Sequence, residues 1–88
     1  MNKYIEKFTD QPVAVMAARY QYRGTVSEVG SNYIVLTNAF AVEVSGRSSA
    51  ERPETEDPIN GSICISLDAV EIIYQPNWCF ADENNTQN

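Results

Sequence analysis

The sequence predicts a mainly β domain: a short N-terminal helix followed by a five-stranded, strongly bent antiparallel barrel. Three observations predict it. β-Branched and aromatic residues crowd residues 13–44 and 62–74, in runs broken by Gly, Asn and Pro. Only residues 2–9 carry a helical spacing. The whole chain has 88 residues, room for one domain, and short bent strands at that length close into a barrel rather than stack as a sandwich.

In residues 2–9, Tyr4, Ile5 and Phe8 share a face, while Lys3, Glu6 and Lys7 point elsewhere. One or two turns do not hold alone, so the segment must dock. Asp10-Gln11-Pro12 ends it, because the residue before proline is pushed toward extended geometry. Val13–Ala18 is the first strand, Tyr20-Gln21 the first turn, and Tyr22–Val29 the second strand. Gly24 inside that strand marks a sharp bend or a close backbone approach. Gly30-Ser31-Asn32 is a tight turn of residues that tolerate positive φ. Tyr33–Val44 is a long third strand with a bulge at Asn38-Ala39.

Residues 45–61 are polar and Pro-containing and read as a long acidic loop between the third and fourth strands. Asn60-Gly61 is a hairpin signal. Ser62–Leu67 alternates, with Ile63, Ile65 and Leu67 on one face. Asp68-Ala69-Val70 turns the chain into a last strand, Glu71–Tyr74, which Pro76 stops. Residues 1–75 are thus one barrel domain, and residues 76–88 a largely disordered tail in which Trp78 and Phe80 act as anchors.

Composition excludes several functions. The chain has no histidine, which removes imidazole catalysis and histidine metal sites. Cys64 and Cys79 do not make a zinc spacing. No nucleophile–base pair or converging carboxylate pair appears, so no enzyme, cofactor or metal is expected. No apolar run is long enough to span a membrane. The N-terminal residues carry no apolar leader, so a cytoplasmic setting with two free thiols is expected. The net charge of −6 argues against indiscriminate polyanion binding. Much of the acid lies in the loop (Glu51, Glu54, Glu56, Asp57) and tail (Asp82, Glu83), which leaves the compact part mildly acidic. Arg19, Tyr20, Tyr22 and Arg23 are the one basic-aromatic cluster. Single-strand binders interleave these residue types, and solvated hairpins carry them as well.

Residues 22–36, from Tyr22 through Gly24, Val26, Val29 and the Gly30-Ser31-Asn32 turn to Ile34-Val35-Leu36, resemble the first motif of Sm-like proteins, including the bacterial host-factor (Hfq) branch. Leu67–Ile73 resembles the end of the second motif, where a tight turn feeds the fifth strand. The likeness covers roughly residues 3–75 and implies an SH3-like (Sm-like) barrel. It also implies a homo-oligomeric ring of about five to seven subunits, joined fourth strand to fifth, that binds single-stranded RNA or DNA. Sm-like proteins usually carry aspartate at the place of Gly30, asparagine near Ile34, and an arginine-glycine or lysine-histidine pair at the place of Leu67-Asp68.

In such a ring the turns after the second and fourth strands face the pore, which makes Ser31, Asn32, Tyr33 and Asp68 candidate nucleic-acid contacts beside Arg19 and Tyr20. Asn32 would hydrogen-bond a base edge and Tyr33 would stack on a base. The alternative is turn chemistry at Ser31-Asn32 and a half-buried strand residue at Tyr33. Asp68 would repel phosphate, bind a cation or cap the next turn. Besides an RNA-binding ring, a protein-assembly ring without nucleic acid and a monomeric SH3-like adaptor fit the same residues.

Overall fold

The structure is a computed structural model that describes residues 3–43 and 56–80, with Phe80 as backbone alone. The expected loop residues 45–55 and tail residues 81–88 lie outside the described residues. A one-turn helix α1 (Lys3–Glu6) precedes six strands: β1 (Pro12–Ala17), β2 (Tyr20–Val29), β3 (Tyr33–Glu43), β4 (Asp57–Ile59), β5 (Ile63–Ser66) and β6 (Val70–Tyr74). Short 3₁₀ turns at Leu67–Ala69 and Asn77–Phe80 follow β5 and β6.

Docking holds α1, as so short a helix requires. Ile5 and Phe8, three residues apart, pack against the core. Asp10, at φ 67°, reverses the chain so that its amide donates to the Val26 carbonyl at 2.7 Å, and Val26 donates back to Gln11 at 3.0 Å. Tyr4 departs from its expected place on the docked face and is 81% exposed. It sits one residue from Ile5, a hundred-degree rotation away on so short a helix.

The first hairpin turns at Ala18-Arg19, with Ala18 at φ 57°, not at Tyr20-Gln21. Tyr20 already pairs with Ala17 and Glu43, and Gln21 is buried in the ladder between Met16 and Val42. Gly24 makes the expected close approach. A Cβ there would stand 2.9 Å from the Thr37 carbonyl oxygen and 3.2 Å from Leu36 Cβ. Opposite it, Asn38 and Ala39 both fall between the pairs Arg23–Phe40 and Thr25–Thr37, and Asn38 takes φ 52°. This is the expected bulge, and together the two features bend β2 and β3.

The strand order is β4-β3-β2-β1-β6, with β5 also paired to β3. β4 lies inside the segment expected to be all loop, and Asn60-Gly61 does not make a hairpin. β4 and β5 both run along β3, against Ala39–Ala41 and Tyr33–Leu36, so Gly61, at φ 99°, marks a gap in one ribbon opposite the bulge. Among the described residues β5 and β6 do not pair, which leaves the wrapped sheet unclosed between them.

Directly opposed residues share a sheet face, so register sorts the side chains. The row Ile73-Val15-Tyr22-Ala41 faces the main core, where Val13, Val26, Ile34 and Leu36 are fully buried. The rows Tyr74-Ala14-Arg23-Phe40 and Ile72-Met16-Gln21-Val42 face the other way. Ala14, Gln21 and Arg23 are buried there as well. The first residues of the expected tail are ordered: the turn at Asn77–Phe80 buries Cys79, whose thiol points at the Pro12 carbonyl at 3.6 Å.

Gly24→Ala is expected to lower stability by about 1–3 kcal/mol, because the atoms it meets are backbone and a β-carbon. Urea unfolding reads this directly. An unchanged midpoint would mean that β2 and β3 do not need this approach.

Candidate nucleic-acid interface

The six candidate residues fall into two groups at opposite ends of β2, a ten-residue strand and so about 30 Å of chain. Ser31, Asn32, Tyr33 and Asp68 gather at one end. The 3₁₀ turn after β5 is laid against the β2–β3 turn by the Leu67 amide, which donates to the Asn32 carbonyl at 3.0 Å. The Asn32 amide nitrogen then donates to an Asp68 carboxylate oxygen at 3.4 Å. Asp68 is not the cap of this turn: Ser66 is, accepting from the Asp68 amide at 3.2 Å. Asp68 is thereby left exposed beside Asn32.

Tyr33 is half-buried at the start of β3. Its hydroxyl donates to the Glu28 carboxylate. That hydrogen bond, with the negative charge beside it, holds the phenol proton and raises the Tyr33 pKa above its ordinary value. The ring lies over Gly30. Gly30, Ser31 and Asn32, which tolerate positive φ, do not adopt it; among the described residues Asp10, Ala18, Asn38 and Gly61 do.

Arg19 and Tyr20 sit at the first hairpin, away from this group. The Arg19 guanidinium donates to Glu43 at 2.7 Å in an exposed ion pair, a contact worth about 0–1 kcal/mol. Tyr20 stacks on Tyr22 with ring centroids 6.2 Å apart. Arg23 leaves the basic-aromatic cluster altogether. It is buried, forks onto Glu56 with nitrogen–oxygen distances of 2.9 and 3.0 Å, and lies over the Phe40 ring at 4.4 Å. Alternation along β2 already puts Arg23 on the face opposite Tyr20 and Tyr22, a signal present in the sequence. Glu56, expected in a solvated excursion, is instead its buried partner just before β4.

Lys3 and Tyr4 on α1 and Lys7 just after it are exposed, with the Lys7 ammonium 5.3 Å from the Tyr4 ring. Lys3 and Lys7 form no ion pair among the described residues. Cys64 is exposed and Cys79 buried, and no disulfide joins them. Among the described residues no three Cys, Asp or Glu side chains gather as a metal site would require, and no helix is long and apolar enough to cross a membrane.

The fold is similar to that of a solved structure, the Sm protein of Pyrococcus abyssii in complex with a uridine heptamer. The match has a TM-score of 0.61 at 20% identity and covers 82% of this chain and 92% of that one. This is an Sm-like fold. No protein-family model matches the sequence, and no curated protein matches it significantly. The Sm-like barrel is therefore carried by topology rather than by sequence identity.

The Arg23–Glu56 pair gives a direct test of how β4 is held in this fold. Removing one partner strands a buried charge, so Glu56→Gln is expected to cost about 3–5 kcal/mol. Replacing both, as Arg23→Met with Glu56→Leu, is expected to recover most of that loss. Thermal and urea unfolding of the two variants separate a buried pair from a surface contact, which would show no loss in the single variant.

Proposed function

We propose that this chain assembles into a homo-oligomeric ring and binds single-stranded RNA through the turn that carries Ser31, Asn32 and Tyr33. The observation that carries the reading is the Sm-like fold, whose matched neighbour is an Sm protein complexed with a uridine heptamer. The meeting of Asn32 with Asp68 at one end of the barrel supports it, since it joins the turns after β2 and β5 into one surface. The edges of β5 and β6, unpaired among the described residues, support the ring, with about five to seven subunits fitting this kind of closure.

In this reading each subunit offers one weak site, and the ring multiplies them. Tyr33 stacks a base, a contact worth about 1–3 kcal/mol. Asn32, held by Asp68, offers its remaining amide donor and its carbonyl to a base edge. Asp68 and Glu28 repel phosphate, so the strand lies with its bases toward the protein and its backbone outward. A shallow salt dependence follows, because few phosphates are neutralised. Gly30, Ile34 and Leu67-Asp68, with the net charge of −6, favour a second reading, an assembly ring that binds no nucleic acid.

Titration of labelled oligo(U) and oligo(A) at low salt tests the two readings. Micromolar or tighter binding is expected, weakened about 5- to 150-fold by Tyr33→Ala, the range of one lost stacking contact. Arg19→Ala, at the far end of β2, is expected to leave affinity unchanged. No binding at high micromolar protein would favour the assembly ring. Light scattering on a sizing column is expected to give a single closed oligomer; a monomer at high concentration would overturn both readings.

A further inference from the structure

Gly30 is needed for a reason other than its backbone. Its φ is not positive, so the turn itself would accept another residue there. What excludes a side chain is the Tyr33 ring: a Cβ on Gly30 would stand 2.1 Å from Cε2, 2.3 Å from Cζ and 2.6 Å from Cδ2. The ring therefore rests on the bare glycine. The Gly30 amide donates to the Tyr33 carbonyl at 2.8 Å, which ties the two residues across the turn. At the far edge of the ring, the hydroxyl donates to Glu28 at the end of β2.

We infer that Gly30 and Glu28 are positioning residues that hold the Tyr33 ring as a preformed platform for one nucleobase of a single strand. The inference deepens the proposed RNA reading and rests on it. The ring is gripped beneath by Gly30 and at its rim by Glu28, while the residue remains half-exposed. Among the described residues no aromatic ring or cation packs on Tyr33. A base therefore meets a face whose rotamer freedom is already spent, which lowers the entropic cost of stacking. Asn32, the neighbouring residue in the chain, is fastened by Asp68 and by the Leu67 amide, and in this reading its remaining amide donor meets the base edge. The Glu28 carboxylate at the rim selects for the uncharged base over the phosphate.

The alternative is that Glu28 acts on RNA only as a negative charge. Then removing the charge by any route strengthens binding. The platform requires something different from two variants that lose the same charge. Glu28→Gln keeps an acceptor for the hydroxyl, so it is expected to bind oligo(U) as tightly as wild type or more tightly. Glu28→Ala frees the ring and is expected to bind about fivefold or more weakly, toward the effect of losing the stacked base. Gly30→Ala, which drives the ring off its seat, is expected to weaken binding similarly, with thermal melts confirming that it folds.

Ultraviolet titration supplies a readout that does not depend on RNA. In wild type one tyrosine is expected to ionise above the ordinary value of 10.0, because Glu28 holds its proton. That tyrosine is expected to fall back toward the ordinary value in both Glu28 variants. Equal or tighter binding by Glu28→Ala, or wild-type affinity in Gly30→Ala, would overturn the platform while leaving RNA binding intact. Failure of wild type itself to bind would overturn both.

Discussion

Backbone hydrogen bonding at the two ends of the sheet is the constraint on which the rest of this molecule depends. Among the described residues β5 has β3 as its one neighbour and β6 has β1. A strand with one neighbour presents a row of bare N–H and C=O groups, and proteins usually blunt such edges with charge, proline or a covering segment. These edges carry few such devices. β5 reads Ile63-Cys64-Ile65-Ser66 with no charge, and β6 has Glu71 beside Ile72, which is 47% exposed. Pro76 comes only after β6 has ended. A ring joins such edges to each other and removes the liability, and a chain of this size also gains core from its neighbours.

The element that joins the two edge strands also builds the site. Three residues, Leu67–Ala69, carry the chain from β5 to β6 in a single 3₁₀ turn capped by Ser66. Leu67 reaches back to Asn32, and Asp68 fastens the Asn32 amide. The turn that holds Tyr33 over Gly30 is therefore braced by the same link that sets β5 and β6 in place. In the proposed ring, edge pairing and presentation of the base-binding face depend on one short segment.

Local chemistry was legible in the sequence where one residue type has one physical use. Gly24 and Asn38-Ala39 announced a bend and a bulge, and the structure places them face to face. The apolar runs gave five of the six strands within a residue or two, and β4, inside the polar segment expected to be loop, was missed. Features set by distant partners were not legible. Asn60-Gly61 has the local form of a hairpin, yet β3 already bonds both flanking strands, so the pair only interrupts a ribbon. Tyr20-Gln21 looked like a turn because the burial of Gln21 depends on Met16, Val42 and the Tyr74 hydroxyl, which donates to Gln21 at 2.8 Å. Of the candidate site, the turn residues and Asp68 came together, because both lie at the ends of recognisable strands. Arg19 and Tyr20 did not, since a hairpin's position along the barrel is fixed by topology. Glu56 was hidden among acids, and its pairing with Arg23 spans a separation in sequence that no local pattern encodes.

Amide hydrogen exchange of the native protein tests the edge constraint most directly. The amides of Ile63–Ser66 and Glu71–Ile73 that point away from β3 and β1 have no strand partner among the described residues. If copies pair through these edges, those amides exchange as slowly as the amides inside β1 and β2, and lose that protection on dilution. Exchange at the rate of free peptide at every concentration would contradict the account.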